Sequence, residues 1–162
     1  MSYKNPINEG EGLHRYTAED AIIKILKIKN PRSTYELPSC ILGNDIDYNY
    51  LTSEAIRQGL APELRFIFVN TFKLLQSHNV SYEKLKELEQ SMMRLGKFVD
   101  NKKPHIMIDV ELPGLEKILK ELQTSEEKES GVIGRLTYGG FEHTYHMNHG
   151  KGIHQQGSHR LS

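Results

Sequence analysis

The chain has 162 residues, of which 37% are hydrophobic and 26% charged, a composition typical of globular proteins and unlike that of disordered or membrane chains. A chain of this length is expected to form one domain that buries roughly two-thirds of the surface of its unfolded form. Its 21 basic and 21 acidic side chains cancel, which disfavours proteins that bind nucleic acid through net positive charge, such as ribosomal and chromatin proteins.

The single cysteine, Cys40, excludes an internal disulfide framework and a thiolate zinc cluster, so we expect a reducing, cytoplasmic location. Its apolar neighbours Ile41 and Leu42 predict a buried thiol rather than a nucleophile. The polar N-terminus predicts no secretory signal. No run approaches the roughly 20 apolar residues that a membrane span needs, so we expect no membrane contact.

The first helix is predicted to begin after Thr17, a capping residue, and to end before Asn30-Pro31. Residues 31–49 carry turn formers on both sides of a short apolar piece, 39–42, for which we predict an edge strand. A short helix is expected from about residue 52 to Gln58.

Two longer helices follow in the prediction. The first, from Pro62 to about Ser77, is apolar on most sides and should be the buried central helix. The second begins after Ser81 and runs to about Leu95, with one apolar and one charged face.

A change of period predicts a strand at 104–112, where apolar and polar residues alternate. Pro113-Gly114 turns the chain into a helix from Leu115 to Leu122. The charged stretch 123–130 is typical of a solvated helix end or linker, and we place a subdomain boundary there.

Beyond that boundary, β-forming residues and glycine turns predict strands between residues 131 and 161. The predicted fold class is therefore α+β, with a predominantly helical N-terminal two-thirds and a small, mainly antiparallel C-terminal sheet. Residues 1–130 form a mainly helical core with one strand near 105–112. Residues 131–162 form a His-rich β-hairpin subdomain of the same single domain.

Histidine is concentrated at the end of the chain. Five of the eight histidines lie there, namely His143, His146, His149, His154 and His159. A hairpin turning at Gly150-Lys151 puts Glu142, His146 and His159 on one face and His143 and His154 on the other. The isolated His14, His78 and His105 are expected to be exposed or to cap helices.

Three functions are compatible with this tail. A histidine-dependent, metal-independent hydrolase would use His146 and His159 as acid and base, Glu142 to orient an imidazole and Lys151 to bind an anion. These are the minimum groups of a ribonuclease, and the predicted layout resembles, at the level of fold alone, that of compact RNase effector domains of bacteria. RNA is the substrate that this resemblance implies.

The second function is divalent metal binding, for example of zinc, by His143, His146 and His149. Their three-residue spacing allows convergence on one ion only if the segment is not an extended strand. A hairpin therefore predicts no cofactor.

The third function, which we favour, is a small non-enzymatic interaction or assembly module. The sequence contains no glycine-rich phosphate loop, no dinucleotide fingerprint and no nucleophile elbow. We expect the His/Gly-rich C-terminal segment to bind another protein or a second copy of the chain.

Overall fold

The computed structural model describes residues 16–78, 81–109 and 112–161, with side chains as far as residue 149. Within these ranges, nine helices and two short strands follow one another along the chain. They are α1 (Ala18–Ile28), α2 (Pro31–Tyr35), α3 (Leu37–Leu42), α4 (Tyr48–Arg57), α5 (Ala61–Ser77), α6 (Tyr82–Gly96), β1 (His105–Ile106), α7 (Leu115–Glu121), α8 (Ser125–Ser130), β2 (Val132–Ile133) and α9 (Tyr138–Leu161).

Helices α1 and α6 begin where the sequence predicts. Thr17 Oγ1 accepts a hydrogen bond from the backbone N–H of Asp20 at 3.1 Å, and the Asp20 carboxylate accepts the N–H of Thr17, which completes a capping box for α1. At the start of α6, Ser81 Oγ accepts the backbone N–H of Lys84 at 3.4 Å. The predicted central helix is α5, whose side chains from Phe66 to Phe68 are fully buried.

The predicted edge strand at 39–42 is wrong, because residues 31–42 form α2 and α3. Pro31 stands in the first turn of α2, where the missing N–H costs nothing, and Asn30 Oδ1 accepts the N–H of Ser33 at 3.2 Å. Prolines that look like loop formers are thus helix starts here. Helix α4 begins earlier than predicted, at Tyr48, because the Asp47 carboxylate accepts the backbone N–H of Tyr50 and caps the helix there.

The two strands pair in parallel, with His105 opposite Val132 and Ile106 opposite Ile133, so the predicted antiparallel sheet is wrong. The strand predicted at 104–112 shortens to β1, although residues 110 and 111 lie outside the described residues. Parallel strands need a crossover connection. Here α7 and α8 lie in that connection.

Residues 123–130 were predicted to be a solvated helix end or linker, but they contain α8, which packs into the crossover. Glu127 is fully buried in α8, and its carboxylate accepts the N–H groups of Thr124 at 2.9 Å and Leu136 at 3.2 Å. Burial raises the pKa of Glu127, while these hydrogen bonds lower it in part. This charged residue is therefore part of the core.

The predicted C-terminal hairpin is wrong as well, because Tyr138–Leu161 form a single helix, α9. Thr137 Oγ1 accepts the N–H of Gly140 at 3.0 Å at its start. Phe141 is fully buried, with its ring centroid 4.8 Å from that of Tyr35 and 5.6 Å from that of Phe66. The aromatic residues Tyr138, Phe141 and Tyr145, which favour strands by composition, recur at three- and four-residue intervals and so lie on one face of a helix.

Candidate functional site

The C-terminal residues singled out in the sequence lie on α9. Glu142, His143, His146 and His149 fall within the described side chains, whereas the side chains of Lys151, His154 and His159 lie outside them. The hydrolase arrangement of Glu142, His146, His159 and Lys151 therefore stays a prediction. Among the described side chains, Glu142 forms no hydrogen bond with an imidazole.

The predicted metal site required that residues 143–149 not form an extended strand, and they are helical. Two of the three predicted ligands nevertheless contact different neighbours, and the third is exposed. His146 packs against His78, with ring centroids 5.0 Å apart. His149 Nε2 lies 3.2 Å from Ser39 Oγ, and His143 is exposed. In the part of the chain that the structure describes, no three His, Cys, Asp or Glu side chains are grouped to hold a metal.

These contacts define a histidine cluster, made of His78, Tyr145, His146 and His149, where the end of α5 meets α9. The Tyr145 ring lies between its neighbours, with its centroid 4.2 Å from that of His149 and 5.4 Å from that of His78. His78, predicted to be exposed or capping, is both: it is the C-cap residue of α5. His14 lies outside the described residues.

Polar contacts next to the cluster attach α9 to α3. Asn148 Nδ2 donates to Glu36 Oε1 at 2.7 Å and to Ser39 Oγ at 3.1 Å. Together with the His149 contact to Ser39, these bonds fix the position of α9 against α3.

A carboxylate–imidazole pair is also present away from α9. His105 Nδ1 lies 2.8 Å from Glu63 Oε1, and the two side chains are 39% and 4% exposed. Burial raises the pKa of Glu63, while His105 and Lys29 lower it in part. The expectation that His105 is an isolated exposed or capping residue is therefore wrong. The signal that could have found this pair is a lone carboxylate in the first turn of an otherwise apolar helix.

A groove runs along α6 between this helix, the loop that joins α3 to α4, and α9. Three adjoining hollows of about 330, 350 and 260 Å³ form it. The first two share Tyr48 and Glu87, and the second and third share Leu42 and Lys84. Tyr145 lines the far end, so this α6 groove reaches the histidine cluster.

Tyr48 forms the floor of the groove. The residue is 8% exposed, and its hydroxyl has no hydrogen-bond partner among the described residues. Burial, with smaller effects of Glu87 and Asp45, raises the pKa of Tyr48 to about 12. The hydroxyl therefore keeps its proton at neutral pH. A buried donor left without an acceptor costs about 1–3 kcal/mol.

Opposite charges line the rim of the groove. Arg94 donates to Ser53 Oγ at 3.1 Å and approaches Asn49 Oδ1 at 3.5 Å, and no described carboxylate pairs with it. Glu87 likewise forms no ion pair with a described cation. Seven residues apart on one helix face, the two charges are separated by about 10 Å along the axis.

The groove residues were not predicted, although the sequence contains a signal for them. Lys84, Glu87, Ser91 and Arg94 recur at three- and four-residue intervals, which places them on one face of α6. By itself the pattern predicts the solvated face of an amphipathic helix. That the loop after α3 covers this face could not be predicted from the helix alone.

Comparison with known proteins adds no assignment. No family model matches the chain, and neither a curated protein nor a solved structure is significantly similar to it. Across the described helices, none combines the length and the apolar character required to cross a bilayer.

Proposed function

We propose that this chain is a non-enzymatic protein-interaction module that binds an extended, doubly charged segment of a partner protein in the α6 groove. The observation that carries the proposal is that Glu87 and Arg94 both lie on the rim of the groove above Tyr48, and that neither forms an ion pair with any residue that the structure describes. Tyr145, from the His/Gly-rich segment that the sequence singled out, contributes the end of the same surface.

The chemistry of the groove specifies the ligand. Glu87 can accept hydrogen bonds from a basic side chain, and Arg94 can donate to a carboxylate. The Tyr48 hydroxyl can donate to a backbone carbonyl after a small shift of its ring. An extended peptide advances about 3.3 Å per residue, so charges about 10 Å apart lie about three residues apart in the ligand. The expected motif is a basic residue and an acidic residue separated by two others.

The interaction should be transient. Exposed ion pairs contribute about 0.2–1 kcal/mol each, and salt screens them further. Weak, reversible binding is typical of assembly and signalling contacts, and the lone cysteine supports a cytoplasmic setting for it.

Selection from random displayed peptides of roughly twelve residues tests the proposal. The wild-type chain should enrich peptides with the motif above, and the double variant Glu87→Lys/Arg94→Glu should enrich peptides with the two charges exchanged. Glu89→Lys, an exposed charge reversal on α6 that does not line the groove, is the matched control and should select as the wild type does. Failure of the charge exchange to alter the selected peptides would refute the proposal.

Self-association is the other partner that the sequence allows. Sedimentation of the chain at several concentrations distinguishes the two cases. A dimer that the single variant Arg94→Glu dissociates would mean that the groove binds a second copy, and the proposal of a foreign partner would then be wrong.

A hydrolase is a second candidate, favoured by the hydrogen bond between Glu63 and His105, since a buried carboxylate that orients an imidazole is a common acid–base arrangement. Incubation with single-stranded RNA tests it. If the chain cleaves RNA with the Glu63–His105 pair, His105→Ala should abolish turnover. If it cleaves RNA with the predicted residues of α9, His159→Ala should abolish turnover instead. A chain that leaves RNA intact would rule out both.

A further inference from the structure

Two imidazoles of the histidine cluster stand at a separation that one metal ion would impose. The ring centroids of His78 and His146 are 5.0 Å apart and the ring planes are inclined by 51°. With metal–nitrogen bonds of about 2.0–2.1 Å and a near-tetrahedral angle, two imidazoles on one ion have centroids about 5 Å apart. Both side chains are exposed, so an ion has access to them.

The hydrogen bonding of His78 prepares it to be a ligand. Its Nδ1 lies 2.7 Å from the backbone carbonyl oxygen of Leu74. Because a carbonyl only accepts, Nδ1 carries the proton and Nε2 of the neutral ring keeps its lone pair. Metal-binding histidines characteristically donate their other N–H to a backbone carbonyl or carboxylate in this way.

We propose that His78 and His146 form a surface site for a divalent transition-metal ion such as Zn²⁺. The site differs from the predicted trio, of which it keeps only His146, and it does not depend on the function proposed for the α6 groove. Imidazole nitrogens suit Zn²⁺, Ni²⁺ and Cu²⁺ better than Mg²⁺ or Ca²⁺, which prefer oxygen ligands. With two protein ligands the remaining positions are filled by water, so binding is weak and exchangeable.

Calorimetric titration of the full, tag-free chain with Zn²⁺ tests the site. A background carrying His154→Ala and His159→Ala removes tail imidazoles that would bind the ion independently. In that background, His78→Ala and His146→Ala should each weaken Zn²⁺ binding at least about tenfold, because loss of even a residue that only hydrogen-bonds to a metal ligand typically costs about that much. His143→Ala, an exposed histidine on the same helix, is the matched control and should change the affinity less than twofold, roughly the noise expected without a lost ligand.

A second readout excludes a change in folding as the cause. His146 is exposed, so its replacement should leave the circular dichroism spectrum and the unfolding midpoint unchanged while binding is lost. Acidification from about pH 7.5 to about pH 5.5 should release the ion, because protons compete with metal for imidazole. Equal binding by the His146→Ala chain, an equal loss in the His143→Ala chain, or no saturable Zn²⁺ binding would each overturn the proposal.

Discussion

The Nδ1 atom of His105 lies 2.8 Å from Oε1 of Glu63, and this single hydrogen bond joins β1 to the first turn of α5 across 42 residues of sequence. The Glu63 side chain is 4% exposed, so its carboxylate has little access to water. A buried carboxylate is tolerated when hydrogen bonds or opposite charges compensate it. The hydrogen bond between Glu63 and His105 therefore helps to hold β1 against α5.

Replacing His105 with alanine should destabilise the fold. The change leaves the buried Glu63 oxygen without its imidazole partner, at a cost of about 1–3 kcal/mol. Urea unfolding measures the loss, and a double-mutant cycle with Glu63→Gln should give a coupling energy of about 0.5–3 kcal/mol. His143→Ala, which removes an exposed imidazole, should change stability by less than about 0.5 kcal/mol. Additive effects of the two substitutions would contradict the coupling.

The stability of the fold should depend on pH through the ionisation of Glu63. Burial raises the pKa of Glu63 above its ordinary 4.5, so the folded chain holds this proton more tightly than the unfolded chain does. Its contribution to stability is therefore complete below pH 4.5 and is lost as the pH rises through the raised pKa. The free energy of unfolding of the wild type minus that of Glu63→Gln should fall as the pH rises above 4.5. A difference that rises over this range would contradict the assignment.

Gly140 should be indispensable for docking α9. A Cβ atom at this position would lie 2.5 Å from Cε1 and 2.6 Å from Cζ of Tyr35, closer than side chains approach one another. Gly140→Ala should therefore destabilise the chain by about 1–3 kcal/mol, as overpacking does. Thermal unfolding and hydrogen exchange of the α9 amides measure the effect.

Its neighbour provides the control. At Gly139 an added Cβ meets only Thr137 Oγ1, at 3.9 Å, and the residue is exposed. Gly139→Ala should be neutral or stabilise the helix by up to about 1 kcal/mol, because alanine is the better helix former. Equal losses from the two alanines would mean that backbone flexibility, and not contact with Tyr35, is what position 140 needs.

The thiol of Cys40 should react slowly. Burial, and then the nearby Glu19, raises the pKa of Cys40, which lowers the fraction of nucleophilic thiolate. Alkylation by iodoacetamide should therefore be slower in the folded chain than in urea. Equal rates in the two states would show that the thiol is neither shielded nor perturbed, and Cys40 would become a candidate nucleophile.

Helices with local signals were predictable, and those whose signals conflict were not. The hydroxyls of Thr17 and Ser81 mark the starts of α1 and α6, because capping acts within one turn of the backbone. At Pro31 the same residue type ends one helix and starts another, and a sequence pattern does not separate a loop from two short helices. In α9, aromatic content favoured a strand while the three- and four-residue spacing of Tyr138, Phe141 and Tyr145 favoured a helix.

By itself the sequence determined the amphipathic helices, the buried character of α5 and the strand-forming segments at 105–106 and 132–133, since each depends on residues within a few positions of one another. Only the tertiary structure decided which side chains meet. Glu63 contacts His105, Tyr35 packs against Phe141, and His78 packs against His146. These contacts form only when elements distant in sequence bury their apolar faces together. The candidate sites lie at those junctions, where no local pattern specifies the partner.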